Sequence, residues 1–526
     1  MPTLAPLLSG PLPKLGVIVV ALLTTGAIVG RDPRTRAWTM AAALILAPAL
    51  LLDAVWNSPQ LHIHQHPLHA IGGGIVAVVA VVVFAVVLSR WPRLIAPLCI
   101  AALPFRIPIS ASGHTYSLLV PLYFVVAAAS LSSIVTTLRS TERSTRPARH
   151  KFEWLLGGYL ILYAIQAWYS VDFFNALRTM VFFYVPFALM LALLRDQRWD
   201  RELLLRCLWL TAGLAVLFSF VAFAEEATHS VFLNSKLAEN NNVHTYFTVN
   251  SVFFDPNIFG RYLALVMILV LGVVLFVQRP RIQIAATATL VVLWTALVMT
   301  ISRSSLLALL LGMAVLAAIR WRVKPVLVLG AVVLVIGGVA LVVRPNTFGL
   351  NQGLNGASGG RASLVSGGIH MFGDRLVWGY GSGSFGTEFQ RKHPGTSLDQ
   401  SHTIPITIAA EQGVIGLALY AALVVTALLT LFGGIRGDPW RTAIAAAFLA
   451  LLLHTMLYAG FLEDPLTWTL LAIGGALAAT RKIETGEPPA GLHAASSSRR
   501  ARRASASWRS TVRRLSPVRE AISSLA

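Results

Sequence analysis

SLDQSHTIPITIAAEQGVIGLALY, residues Ser397–Tyr420, begins as a polar loop and ends as an apolar helix. The apolar run continues to about residue 433, longer than the ~20 residues that cross ~30 Å of hydrocarbon. A helix over 403–433 therefore starts above a bilayer and ends below it. His402 stands at the junction and Glu411 inside the span. At 1.5 Å per residue, Glu411 lies roughly 13 Å deeper than His402, which excludes a hydrogen-bonded pair on one straight helix. A carboxylate in hydrocarbon costs ~2.5–3.5 kcal/mol on insertion scales, so it faces the bundle interior and a partner. We expect that partner to be an arginine of another span.

The rest of the chain agrees with this reading. Of 526 residues, 56% are hydrophobic and only 12% charged. Mean hydropathy is +0.70. A soluble domain carries about 25% charged residues, so no water-facing surface can be built from so few. Apolar runs recur over 12–30, 38–56, 70–89, 92–108, 116–138, 153–171, 174–194, 203–224, 258–277, 282–301, 304–320, 323–343, 403–433, 441–460 and 464–480. These predict an all-α membrane protein of about 15 spans (range about 12 to 15), the fourth being short and bounded by prolines. Six regions follow: N-terminal spans 1–225, a loop 226–257, central spans 258–343, a large loop 344–402, C-terminal spans 403–480 and a basic tail 481–526.

Net charge is +20, yet nucleic acid is excluded as a partner. The excess lies in the tail and in loops such as Arg31–Arg36, Arg90–Arg93, Arg139–Lys151, Arg195–Arg201, Arg279–Arg281, Arg320–Lys324 and Arg436–Arg441. With fifteen spans all of these fall on the side of the C-terminal tail, as cytoplasmic loops do. The N-terminus is then outside and the tail cytoplasmic, with membrane lipid as its neighbour. The loop NSPQLHIHQHPLH has no Lys or Arg, and LEDP is acidic; both fall outside. Both long loops also face outside, where function concentrates. Cys99 and Cys207 are too few for a disulfide framework or a metal cluster. His62, His64, His66 and His69 alternate, and imidazoles bind zinc. No acidic or Cys ligand stands nearby, so a plain polar loop is the simpler reading.

Several outer-face residues could carry chemistry. Arg303, in TISRSS, is flanked by Ser302, Ser304 and Ser305 at a span's outer end. It can snorkel to headgroups, or turn inward and grip phosphate with its fork of N–H donors. Arg178 sits just inside a span near the same face, and Arg261 follows FFDPNIFG, in which Asp255 or Asn257 can cap the next helix. Arg361 opens a short amphipathic segment of the large loop. GYGSGSF, with Gly379, Gly381 and Gly383, then forms a tight turn whose backbone can approach a ligand or a helix. No βαβ unit surrounds it, so it is not a dinucleotide fingerprint. His402 titrates near neutral pH and can act as a general base.

The order of these motifs is informative. FFDPNIFGRYLAL, TISRSSLLALLLG, GGR…GYGSGSF and SHTIPITIAAEQGVIGLALY succeed one another between about residues 250 and 420. This series resembles the bacterial O-antigen ligase/polymerase membrane family. The resemblance implies a GT-C-like glycosyltransferase, multi-pass in the cytoplasmic (inner) membrane, that acts on the outer face. Its donor is a polyprenyl diphosphate-linked glycan, its acceptor a glycan or a lipid-anchored molecule, and it needs neither a nucleotide sugar nor a metal or other cofactor. His402 matches the family's loop histidine, proposed to activate the acceptor hydroxyl. Glu411 matches the glutamate of its E-x-G-x-x-G motif, Arg303 its Ser-Arg motif, and Arg361 the arginine before its Gly turn. Many relatives carry an arginine before the Pro-Asn pair, where this chain has Thr248; Arg261 and Arg178 are candidates for that charge.

The implied site has His402 as catalytic base and Arg303, Arg361, Arg261 and Arg178 as diphosphate ligands, supported by Glu411, Asn257, Gly381 and Gly383. A transporter or flippase of lipid-linked glycans is the alternative, since it too needs intramembrane charge. The long outer loop and the lack of visible repeats favour the enzyme. A structural scaffold would leave inward-facing arginines unexplained.

Overall fold

The computed structural model describes residues 10–56, 67–111, 114–140, 149–232, 247–276, 279–321, 361–394 and 401–485, with isolated positions 237, 238, 241, 324, 326 and 330. Apart from those isolated positions the predicted span 323–343 lies outside the described residues, as do loop residues 344–360 and 395–400, His62, His64 and His66, and tail residues 486–526.

The described elements are overwhelmingly helical. They run α1 (Pro11–Val29), α2 (Pro33–Trp56), α3 (Pro67–Arg90), α4 (Ile95–Ala102), β1 (Ile107–Ala111), β2 (His114–Leu118), α5 (Val120–Arg139) and α6 (Lys151–Ala167). After them come α7 (Phe173–Arg195), α8 (Arg201–Thr228), α9 (Pro256–Phe276), α10 (Pro280–Met299) and α11 (Arg303–Arg320). Loop helices α12 (Arg361–Asp374) and α13 (Phe385–Lys392) precede α14 (Ile404–Phe432), α15 (Pro439–Leu457) and α16 (Pro465–Thr485). Residues 1–478 form one compact unit, and 479–526 form a second, described only over 479–485 as helix.

Among the described residues, 10 helices are long and apolar enough to cross a membrane, with shorter apolar helices at Pro92–Ala102 and Pro465–Thr480. This is an all-α polytopic membrane protein. The fourth predicted span differs from the expectation. Its helix stops at Ala102, near Pro104, and the chain turns into the antiparallel hairpin β1–β2. A helix of 11 residues covers only about 16 Å, half of a bilayer.

Proline opens many of the helices, including α9, α10, α15 and α16. Its missing N–H is one the first turn leaves unbonded anyway. Asp200 caps α8 by accepting Leu203 N–H at 2.8 Å, and Asp438 caps α15. Helices α9, α11 and α15 pack against one another through small residues. A Cβ on Gly272 would lie 2.8 Å from that of Ala443, and one on Gly260 only 2.7 Å from Ser305 Oγ. Such close approach is how apolar helices associate where lipid is as oily as they are.

The bundle has two polar ends. At one, α7 finishes and α2 and α6 begin. There Arg36 pairs with Asp196, Arg195 Nε lies 3.2 Å from Glu153, and Arg149 Nη1 lies 3.6 Å from Glu153. This closed network holds the ends that the basic loops join. At the other end α8, α10 and α15 finish while α9, α11, α14 and α16 begin. The residues singled out by sequence collect there.

Candidate active site

The large loop is locked into the bundle by a break in α14. Gly413 adopts φ 65°, ψ −163° inside the helix. This interrupts the ladder, and the loop supplies the missing partners. Val414 N–H donates to Leu376 O at 2.8 Å, Tyr380 N–H to Ala410 O at 3.1 Å, and Gly381 N–H to Glu411 O at 2.8 Å. A membrane tolerates a broken helix only where other protein satisfies its backbone. The Glu411 carboxylate completes the lock, accepting Gly383 N–H at 2.8 Å and Phe385 N–H at 3.0 Å. The expected arginine beside Glu411 is thus corrected to two backbone donors. The Gly turn brings N–H groups close enough to satisfy the carboxylate without burying a second charge. Gly381 (φ +96°) and Gly383 (φ +75°) press against Ser170 and Ala176, where any Cβ would collide. Asn175 Nδ2 donates to Gly383 O at 2.7 Å and Ser170 Oγ to Ser382 O at 2.8 Å. The turn packs on helices here; its glycines face α6–α7 and α14.

That lock positions the chain on either side of it. His402 precedes α14 with φ +56°, a left-handed conformation uncommon for a residue with a Cβ and concentrated at functional sites. Its neighbours hold it there. Ser401 Oγ bonds Thr407 Oγ1 at 2.7 Å, and Thr403 Oγ1 donates to Met456 O at 3.2 Å. The half-buried imidazole has its Nδ1 enclosed with no hydrogen-bond partner among the described residues. Its ring centre is 5.5 Å from that of Tyr458. Burial lowers the His402 pKa from 6.5, the Arg361 guanidinium lowers it further, and Asp255 opposes both.

Three connections fix this neighbourhood to the end of α15. Arg361, first residue of α12, donates to Leu457 O at 3.2 Å. Tyr458 Oη donates to Asp255 Oδ2 at 2.6 Å, while Asp255 Oδ1 caps α9 by accepting Asn257 N–H at 2.6 Å. Of the two capping candidates, Asp255 does the work. Arg261 Nη2 lies 2.9 Å from Asp464 Oδ2, and its Nη1 donates to Gly460 O at 3.3 Å.

Asn257 serves a different network. Its Oδ1 accepts Ser302 Oγ–H at 2.8 Å; Ser302 caps α11 and bonds Ser305 Oγ at 2.8 Å. Ser304 and Ser305 lie 3.2 and 3.1 Å from His454 Nε2 on α15. Arg303, beside these serines, is exposed. Arg178 stands apart. It donates to Asn175 Oδ1 at 2.5 Å, next to the Gly turn. It also acts electrostatically on Glu463, whose pKa burial raises and Arg178 lowers. So His402, Arg361 and Arg261 share the end of α15, Arg303 and Asn257 flank it, and Arg178, Glu411, Gly381 and Gly383 form the loop's seat.

Residues 288–421 match the family model described as O-Antigen ligase. That stretch of the chain is similar to the O-antigen ligase family. No curated protein and no solved structure matches the chain. The O-antigen ligase match contains Arg303, Arg361, Gly381, Gly383, His402 and Glu411, so the loop, its lock and the histidine all fall within it. It supports a role in ligating or polymerising surface polysaccharide and a glycosyltransferase-like enzyme. Arg261, Asn257 and Arg178 lie outside the matched residues, as do Asp255, His454, Tyr458 and Asp464. The last four were not among the sequence-derived site residues. One signal was available: His454 and Tyr458 are four apart, on one face of a span ending at the outer loop.

From Arg361 a groove of about 470 Å³ runs along α12, lined by Arg361, Ala362, Val365, Ser366, Ile369 and His370. It is apolar along its length with the guanidinium at its start. Beyond it Leu376, Val377 and Trp378 stay exposed.

Proposed function

We propose that this protein transfers glycan from a polyprenyl diphosphate-linked donor to a glycan or lipid-anchored acceptor at the outer face of the cytoplasmic membrane. The observation that carries the reading is His402: a half-buried imidazole on a left-handed backbone, with an unpartnered Nδ1 and with Arg361 and Asp255 both acting on it electrostatically. The donor has an apolar tail, two phosphates and a sugar. The groove along α12 suits the tail, and Arg361 at its start suits the phosphates.

In the reaction, His402 takes the proton of the acceptor hydroxyl. The freed oxygen attacks the anomeric carbon, and the bond from that carbon to the diphosphate oxygen breaks. The electron pair leaves with the diphosphate, whose growing charge Arg361 and Arg303 offset. Diphosphate is a good leaving group, so the acceptor needs a base more than the donor needs an acid. Arg261, held by Asp464, braces α9 behind this site. Arg178 with Glu411 and the Gly turn keeps the loop seated.

The test uses purified protein in detergent with a polyprenyl diphosphate-linked glycan and an acceptor. Product should form with no sealed compartment, because an enzyme makes a new bond in free detergent whereas a flippase only moves its cargo across a membrane unchanged. The His402→Ala variant should insert and fold yet give no product. Normal turnover by that variant removes the general-base role.

A further inference from the structure

Arg106 lies between α4 and β1, at the same end of the bundle as His402. It is half-buried, and its Nε is enclosed without a hydrogen-bond partner among the described residues. Asp464, Arg261, Tyr123 and Tyr458 all act on it electrostatically. The Oη of Tyr123 is likewise enclosed, with the Leu119 backbone beside it. An enclosed guanidinium nitrogen with no partner needs an explanation, because buried polar groups are normally bonded.

The backbone at Arg106 is held firmly. Its neighbour Phe105 meets Phe218 edge-on at 5.7 Å, Phe218 meets Phe253 at 5.8 Å, and Phe253 stacks on Phe259 at 5.3 Å. That aromatic chain ties the segment after α4 to the start of α9.

Arg261 makes an instructive contrast. Its guanidinium and the Asp464 carboxylate are both 3% exposed and 2.9 Å apart, and Arg261 also bonds the Gly460 carbonyl. Together the pair carries no net charge. A diphosphate arriving beside it gains little from Arg261 unless Asp464 is displaced. Arg106 adds a further positive charge to this cluster, next to that neutralised pair.

We infer that Arg106 is a diphosphate ligand of the site, while Arg261 is a structural residue held by Asp464. This rests on the donor reading given above. The N-terminal half of the chain, outside the matched domain, then contributes directly to donor recognition. Tyr123, opposite it, supplies a hydroxyl that can donate to a phosphate oxygen.

The experiment titrates the full-length protein in detergent with farnesyl diphosphate and, separately, with farnesol. Wild type should favour the diphosphate. Arg106→Gln should weaken diphosphate binding by about tenfold or more, the scale of losing a charge-assisted contact. Farnesol binding and the melting temperature should stay as in wild type. Arg106→Lys should fall between, keeping the charge and losing the fork. Arg261→Gln should lower the melting temperature instead. If wild type prefers the diphosphate and Arg106→Gln binds it equally well, the assignment of Arg106 is overturned and the donor reading stands. If wild type does not distinguish diphosphate from alcohol, both fall.

Discussion

The carboxylate of Glu411 closes on the backbone of Gly383, 28 residues upstream, accepting its N–H at 2.8 Å while the other oxygen accepts Phe385 N–H at 3.0 Å. One acidic side chain thus holds a break in a membrane helix against the loop that repairs it. Hydrogen bonds to a charged group contribute about 1.5–3 kcal/mol each, and a buried donor left unpaired costs a similar amount. Glu411→Ala should therefore lower the melting temperature in detergent by several degrees and expose the loop to proteolysis. Glu411→Gln should do less, since its carbonyl still satisfies one donor. An Ala variant as stable and as protease-resistant as wild type would show that the lock contributes nothing.

Arg261 and Asp464 are buried together, so removing either partner strands a charge. Breaking such a pair costs about 3–5 kcal/mol, whereas replacing both with apolar residues can be nearly neutral. Arg261→Met and Asp464→Leu should each be strongly destabilising, and the double variant should lose less than the sum of the two. Thermal unfolding of the four proteins gives the coupling. Strict additivity would mean that the 2.9 Å contact carries no interaction energy.

The depth of these residues was legible in the sequence and their partners were not. Basic loops assigned Arg303, Arg361 and His402 to one side of the bilayer, and all three lie at one end of the bundle. Periodicity cannot reveal that Arg261 meets a residue 203 positions later, or that Tyr458 reaches back 203 positions to Asp255. The Glu411 partner was missed for a different reason. A search for an opposite charge overlooks backbone N–H groups, which every residue but proline carries and no sequence pattern marks. The Gly spacing of GYGSGSF did hold that information. Glycines at alternate positions signalled close approach, and what approaches is the broken helix.

The pH dependence of transfer should report the surroundings of His402. Burial and the Arg361 guanidinium lower its pKa below 6.5, with Asp255 in partial opposition. The neutral, proton-accepting form then persists into mildly acid solution, so the acid limb of the rate profile should lie below pH 6.5. Arg361→Gln should move that limb upward as well as weaken donor binding. Stability follows the same sign. The unfolded chain binds more protons than the folded one in this window, so the His402 contribution is complete above pH 6.5 and is lost as pH falls through the folded value. A limb at or above 6.5 in wild type counts against an imidazole in these surroundings acting as base.

Tyr458 should matter to the rate more than to the fold. Its ring sits 5.5 Å from His402 and 6.0 Å from His454, and its hydroxyl donates to Asp255 at 2.6 Å. Tyr458→Phe keeps the ring and removes only the hydroxyl. Asp255 keeps its capping bond to Asn257 through the other oxygen, so α9 should start normally. Freed of the phenol, the Asp255 carboxylate can turn toward His402 and stabilise the imidazolium, which raises the imidazole pKa. The expected result is a tenfold to hundredfold fall in transfer, about the 1.5–3 kcal/mol of a hydrogen bond to a charged group, together with an upward shift of the acid limb. A structural role alone would lower the melting temperature and leave the pH profile in place, and that outcome would remove Tyr458 from the positioning of His402.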